Sequence, residues 1–202
     1  MKLKFCGLNS IESLIHAREL GADFAGLIFA DESPRKVDEA LLSKLSSFNF
    51  GETIPICVFV NPSVLMVSNM IEMLPNSILQ FHGEETDDFC RQFHHPFWKS
   101  IAVKDRDSYL LGANFPSAQA ILFETHSINL HGGTGQSFDW SMLEGIDASN
   151  KFILAGGINQ SNIKAAISMN PWCIDVNSGV ESGLAIKNEL LMTKLMNAFN
   201  NG

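Results

Sequence analysis

No stretch of this sequence approaches the roughly 18 consecutive apolar residues needed to span a bilayer. Met1 runs directly into a strand-like segment, so the pattern of a signal peptide is absent and a cytoplasmic protein is expected. Basic residues are scarce: 14 Lys and Arg stand against 22 Asp and Glu, for a formal charge of -8, which excludes the clustered positive footprint of a nucleic-acid binder. The four cysteines, Cys6, Cys57, Cys90 and Cys173, show no CxxC spacing, and three lie in apolar runs. Reduced thiols are therefore expected, with no disulfide framework and no metal site. No GxGxxG follows the first strand, which weighs against a doubly wound dinucleotide-binding sheet. No linker or low-complexity stretch divides the 202 residues, and 46% hydrophobic residues supply a sizeable core, so residues 1–202 read as one domain.

What is present is one unit repeated: an apolar β run, a loop of Gly, Asn or other polar residues, and an amphipathic helix. The first strand ends at Phe5-Cys6, and Ser10 caps a helix with Ile11, Leu14, Ile15 and Leu20 at helical spacing. Further strands are expected at 23–29, 55–60, 77–81, 97–103, 120–124, 152–155 and 173–176. Helices are expected through Leu41 to Leu45, from Ser63, from Glu84 to about Phe93, over 105–111, around Trp140 and Leu143, from Gln160, and from about Lys187 to Phe199. Eight strand runs apolar on both faces, each followed by helix, indicate an α/β protein, a closed (β/α)8 TIM barrel, because the count closes and no edge strand is left over.

In such a barrel the chemistry lies at the C-terminal ends of the strands. The residues there are Cys6, Asn61, His82, Glu124 and Asp175, with Arg35 in the second loop. Gly156-Gly157 after strand seven and Ser178-Gly179 after strand eight occupy the two loops that most often hold phosphate in this fold. A phosphate needs no basic residue where backbone N–H groups can approach it, so a small phosphorylated ligand is compatible with an acidic chain. Tight turns are the plain alternative for either glycine loop, but two adjacent loops favour phosphate. Gly132-Gly133-Thr134-Gly135, in the long loop from Thr125 to Gly135, reads either as a third anion cradle or as a flexible lid. Trp98, Trp140 and Trp172 read as packing residues, and Asp175, His82 and Arg35 each have a structural alternative: a carboxylate bonded to loop amides, a packed imidazole, a surface ion pair. Oligomeric state is not legible in the pattern.

Lys4-Phe5-Cys6-Gly7-Leu8, Ser33-Pro34-Arg35, Val58-Phe59-Val60-Asn61, Leu79-Gln80-Phe81-His82-Gly83, Gly132-Gly133-Thr134-Gly135 with Phe138-Asp139-Trp140, Leu154-Ala155-Gly156-Gly157 and Asp175-Val176-Asn177-Ser178-Gly179-Val180-Glu181 stand in order along nearly the whole chain. Together they resemble the phosphoribosylanthranilate isomerases of tryptophan biosynthesis. The resemblance implies an Amadori rearrangement without metal or cofactor, with Cys6 as general base, Asp175 facing the anthranilate amine and Arg35 its carboxylate; since the sequence starts at strand one, a stand-alone enzyme is expected. It also implies an aspartate as general acid at the end of strand six, where this sequence reads Leu122-Phe123-Glu124. That extra methylene leaves three readings: Glu124 works from a shifted backbone, works poorly, or yields the role to a neighbour such as His126. Asn177 stands where the family usually has serine. Lys4 shares a side of strand one with Cys6 only if that strand is regular, so the sequence does not assign it the task of stabilising a thiolate. Two other readings remain: an aldose–ketose isomerase like the histidine-pathway relative, which uses a carboxylate where Cys6 stands, and a phosphate-binding barrel whose catalysis has decayed at Glu124.

Overall fold

The computed structural model describes residues 1–125, 140–143 and 151–202. Strands β1 (Lys2–Phe5), β2 (Phe24–Ile28), β3 (Ile54–Phe59), β4 (Ile78–Phe81), β5 (Phe97–Val103), β6 (Ala120–Thr125), β7 (Phe152–Leu154) and β8 (Cys173–Val176) form a closed barrel in that order. Each neighbour pair is parallel, and β1 closes on β8 with Lys4 opposite Asp175 and Phe5 opposite Val176.

Because side chains alternate across a strand, every strand buries two sets. Phe5, Leu27, Phe59, Leu79, Phe81 and Leu154 face outward into one core beneath the helices. Phe24, Ile56, Ile78, Trp98, Leu122, Ile153 and Cys173 belong to a second core that fills the barrel. Trp98 is fully buried there, edge-on to Phe24 (4.9 Å) and to Trp172 (5.8 Å). The tryptophan expectation thus holds for these two as packing residues, and Trp140 packs on the outer core.

The helices begin where a short polar side chain can accept from the first free amides. Ser10 caps α1 (Ile11–Glu19) in a capping box, Asp38 caps α2 (Glu39–Leu45), Ser63 caps α3 (Val64–Met73), and Thr86 caps α4 (Asp87–Arg91). Helix α4 therefore starts three residues later than the expected Glu84. The weakly periodic stretch after β5 forms a 3-10 helix, Ser108–Asn114, and Trp140–Leu143 is another. Helix α5 spans Ile163–Ser168. The last helix, α6 (Glu189–Asn200), starts after Lys187 because Asn188 caps it and the preceding chain folds into an antiparallel hairpin, β9 (Glu181–Gly183) and β10 (Ile186–Lys187), which helical periodicity did not reveal. Among the described residues no helix is long and apolar enough to cross a membrane.

Trp98 plugs the barrel below the polar layer described next. Trp98→Ala should cost about 3–5 kcal/mol, read as a lower urea midpoint with an unchanged m-value.

Candidate active site

Regular alternation along β1 carries both Lys4 and Cys6 into the barrel, and the site is built around the lysine. Lys4 is fully buried. Its Nζ donates to Asp175 Oδ2 and to Gln80 Oε1, both at 2.8 Å, and lies 3.3 Å from Cys6 Sγ. Space for this pair comes from β2: a Cβ on Gly26 would stand 2.8 Å from Cys6 Sγ and 2.9 Å from Lys4 Cε. Burial works against the charge of Lys4, but Asp175 and then Cys6 outweigh it and hold the ammonium above its ordinary pKa. Cys6 is raised above the ordinary thiol, first by burial and then by Asp175, with Lys4 and Lys187 pulling the other way. Asp175 keeps a second oxygen, Oδ1, buried and without a partner among the described residues.

Across the mouth, β4, β5 and β6 assemble the other half. His82 Nδ1 lies 2.9 Å from Glu124 Oε1, and Ser100 Oγ donates to the same oxygen at 2.6 Å. Gln80 Nε2 is hydrogen-bonded to His82 Nε2. Burial opposes the charge of Glu124, but His82 and Ser100 more than offset it and bring the carboxyl below its usual pKa. The extra methylene of glutamate thus has a local accommodation: two donors converge on one oxygen. His126, the alternative acid, lies outside the described residues, as do Gly132 to Gly135 and Phe138-Asp139.

Arg35 is buried, but its partner is protein. Its Nε and Nη2 donate to the two carboxylate oxygens of Glu181 at 2.7 and 2.8 Å. Lys187 Nζ donates to Glu181 Oε1 at 2.7 Å and to Asn177 Oδ1 and O at 2.8 and 2.9 Å, so hairpin and β8 loop are one ionic unit. This fork corrects the image of Arg35 as a surface ion pair and leaves Nη1 as its one nitrogen without a partner among the described residues. Asn61, in the left-handed region at φ 46°, accepts from the Glu84 amide at 2.8 Å through Oδ1, while its own amide donates to Glu85. Its side-chain oxygen therefore ties the β3 loop to the β4 loop. Lys99 Nζ completes that corner by donating to Glu85 Oε2 and to the Gly83 carbonyl.

After β7, Gly156 and Gly157 have φ of 92° and 67°, a conformation that favours glycine. Neither their amides nor that of Ser178 donates to an acceptor among the described residues. Gly179 bridges to Asn159, and a Cβ there would fall 1.9 Å from the Ile158 carbonyl oxygen, so the two loops touch backbone to backbone. Among the described residues no cluster of His, Cys, Asp or Glu could hold a metal ion.

Sequence reading left Lys4 unassigned and missed Gln80 and Ser100, because each is a polar residue inside an apolar strand. The available signal was spacing: Lys4 and Cys6, like Gln80 and His82, are two residues apart and share a face.

A family model described as N-(5'phosphoribosyl)anthranilate (PRA) isomerase matches residues 3–198. The N-(5'-phosphoribosyl)anthranilate isomerase of Hahella chejuensis is 38% identical over 189 residues, 93% of this chain and 88% of that protein. In fold, the chain matches a crystal structure of phosphoribosyl anthranilate isomerase from Thermotoga maritima at a TM-score of 0.90, with 24% identity and 100% of each chain covered. A phosphoribosyl anthranilate isomerase in complex with reduced 1-(o-carboxyphenylamino)-1-deoxyribulose 5-phosphate matches at a TM-score of 0.86, again with 24% identity and 100% of each chain covered. Sequence match along almost the full length and agreement in fold lead to one conclusion: the chain belongs to the N-(5'-phosphoribosyl)anthranilate isomerase family.

Proposed function

We propose that the protein isomerises N-(5'-phosphoribosyl)anthranilate to 1-(2-carboxyphenylamino)-1-deoxyribulose 5-phosphate in cytoplasmic tryptophan biosynthesis, as a single barrel domain. The observation that carries this reading is the thiol–ammonium–carboxylate cluster of Cys6, Lys4 and Asp175 facing the carboxyl of Glu124 across one barrel mouth.

The chemistry needs an acid on one side of the sugar and a base on the other. Glu124, protonated, gives a proton to the furanose ring oxygen; the C1'–O bond breaks and the nitrogen lone pair forms the C1'=N iminium. Cys6 as thiolate takes the C2' proton, the C2'–H pair becomes the C1'=C2' bond, and the C1'=N π pair returns to nitrogen. The enolamine then gains a proton at C1' and loses that of the 2'-hydroxyl to give the ketone. C2' is oxidised as C1' is reduced, so electrons balance within the substrate and no external redox partner is consumed.

In the free protein Cys6 is held as thiol and Glu124 toward carboxylate, the reverse of this starting state. For the thiol, burial is the first cause and Asp175 the second, and Asp175 is the one that substrate can change. An anilino N–H donated to its open Oδ1 removes part of the negative potential that keeps the thiol protonated, and the iminium removes more. Arg35 Nη1 is the guanidinium nitrogen left for the anthranilate carboxylate. The amides of Gly156, Gly157 and Ser178 take the phosphate. His82 and Asn61, which the sequence places at the same mouth, also bond to protein: His82 to Glu124, Asn61 to the neighbouring loop.

The direct test is turnover of freshly generated phosphoribosylanthranilate, followed by loss of its fluorescence. Cys6→Ala and Glu124→Gln should each lower kcat by about 10²–10⁴-fold. Glu124→Asp, too short to hold both the Ser100 and His82 bonds, should also fall; an inactive wild type with a gain in Glu124→Asp would instead mark a binding barrel or a retuned enzyme for another phosphorylated ligand. For the phosphate loops, Gly179→Ala must push the β7 and β8 loops apart, so KM and the inhibition constant for inorganic phosphate should both rise about 10-fold or more, as expected for misplacement by about 1 Å. Unchanged values for both would remove these loops from the phosphate site.

A further inference from the structure

Five side chains joined by four hydrogen bonds make an unbroken path from the thiol to the carboxyl: Cys6 to Lys4 (3.3 Å), Lys4 to Gln80 (2.8 Å), Gln80 to His82, and His82 to Glu124 (2.9 Å). Donor and acceptor roles along it are not free. An ammonium donates only, so the Gln80 atom facing Lys4 must be its carbonyl oxygen. The Gln80 amide nitrogen, also donor-only, then faces His82 Nε2, which must present a lone pair. A neutral imidazole without a proton on Nε2 carries it on Nδ1, and that N–H points at Glu124 Oε1.

On this basis we infer that Gln80 is a positioning residue for the isomerase reaction: it locks His82 as the neutral Nδ1–H tautomer, and His82 in turn orients the acid Glu124. The inference rests on Glu124 being the acid, as argued above. Its consequence is specific to the glutamate in this chain. Oε1 receives both the His82 N–H and the Ser100 hydroxyl, so when Glu124 is protonated its proton resides on Oε2, the oxygen without a partner among the described residues. The charge-based part of the His82 pull on Glu124 acts only when the ring is protonated; the neutral ring keeps the hydrogen bond alone, so it lowers the carboxyl less than a cationic ring would. His82 is itself neither acid nor base in the reaction. The charged groups around it are Glu124 on β6, Lys4 on β1 behind Gln80, and the Lys99–Glu85 pair that holds the next carbonyl, Gly83 O.

The test uses whole protein labelled with ¹⁵N-histidine, the His82 ring being assigned by its loss in His82→Asn. Near neutral pH the wild-type ring should be neutral, with the proton on Nδ1. Gln80→Glu, which presents an acceptor to Nε2, should move a proton onto that nitrogen. In turnover, Gln80→Leu and His82→Ala should lower kcat by about 10²-fold with KM little changed, the cost of a misplaced catalytic group. His82→Asn, whose side-chain amide can reach Oε1, should recover part of what His82→Ala loses. A wild-type proton on Nε2, or on both nitrogens, overturns the inference whatever the kinetics show, as does an unchanged kcat in Gln80→Leu. The ring spectrum is independent of activity, so absent turnover in wild type would sink the proposed function while leaving the tautomer decided.

Discussion

The structure depends on one buried positive charge. Lys4 is fully buried on the inner face of β1, where an unpaired ammonium would be prohibitive, and it is tolerated only because Asp175 and Gln80 each accept from it and Cys6 lies beside it. The barrel's closure supplies that pairing, since Lys4 and Asp175 are register partners where β1 meets β8. Gly26 on the other flank leaves the room that the two β1 side chains occupy. A shift of β1 by one residue would turn the lysine out of the barrel and abolish the site along with its packing.

That charge organises both ends of the reaction. Toward β8 it balances Asp175 while remaining close enough to favour a thiolate on Cys6. Toward β4 it sets the orientation of Gln80, and through it that of His82 and Glu124. The replacement of the family's aspartate by Glu124 is absorbed in this frame: Ser100 and His82 draw one oxygen of the longer side chain toward β4 and β5. Further out, Glu181 plays the matching part for Arg35, holding two of its nitrogens and joining it through Lys187 to the β8 loop.

Eight apolar runs apolar on both faces identified the barrel, and strand ends located Cys6, His82, Glu124 and Asp175, because in this architecture position along a strand decides which residues share a mouth. Residues inside strands were harder. Lys4, Gln80 and Ser100 are ordinary polar residues in sequence, and only closure of the barrel shows that each points inward. The hairpin Glu181–Lys187 was invisible because β9 and β10 are too short for a period to develop. Arg35 and Asn61 stand where the loops place them, yet their contacts are with Glu181 and the Glu84 amide, partners that spacing along the chain does not disclose.

The most direct test is the pH dependence of Cys6 alkylation, followed by mass spectrometry of the Cys6 peptide so that the other buried thiols do not contribute. In the free protein the Cys6 thiol should titrate above the ordinary value of about 8.5. Lys4→Met should move it higher still, and Asp175→Asn should move it lower, because the ammonium favours the thiolate and the carboxylate opposes it. Opposite shifts in the two variants would establish Lys4 and Asp175 as the pair that sets the base; shifts in the same direction, or none, would contradict the account.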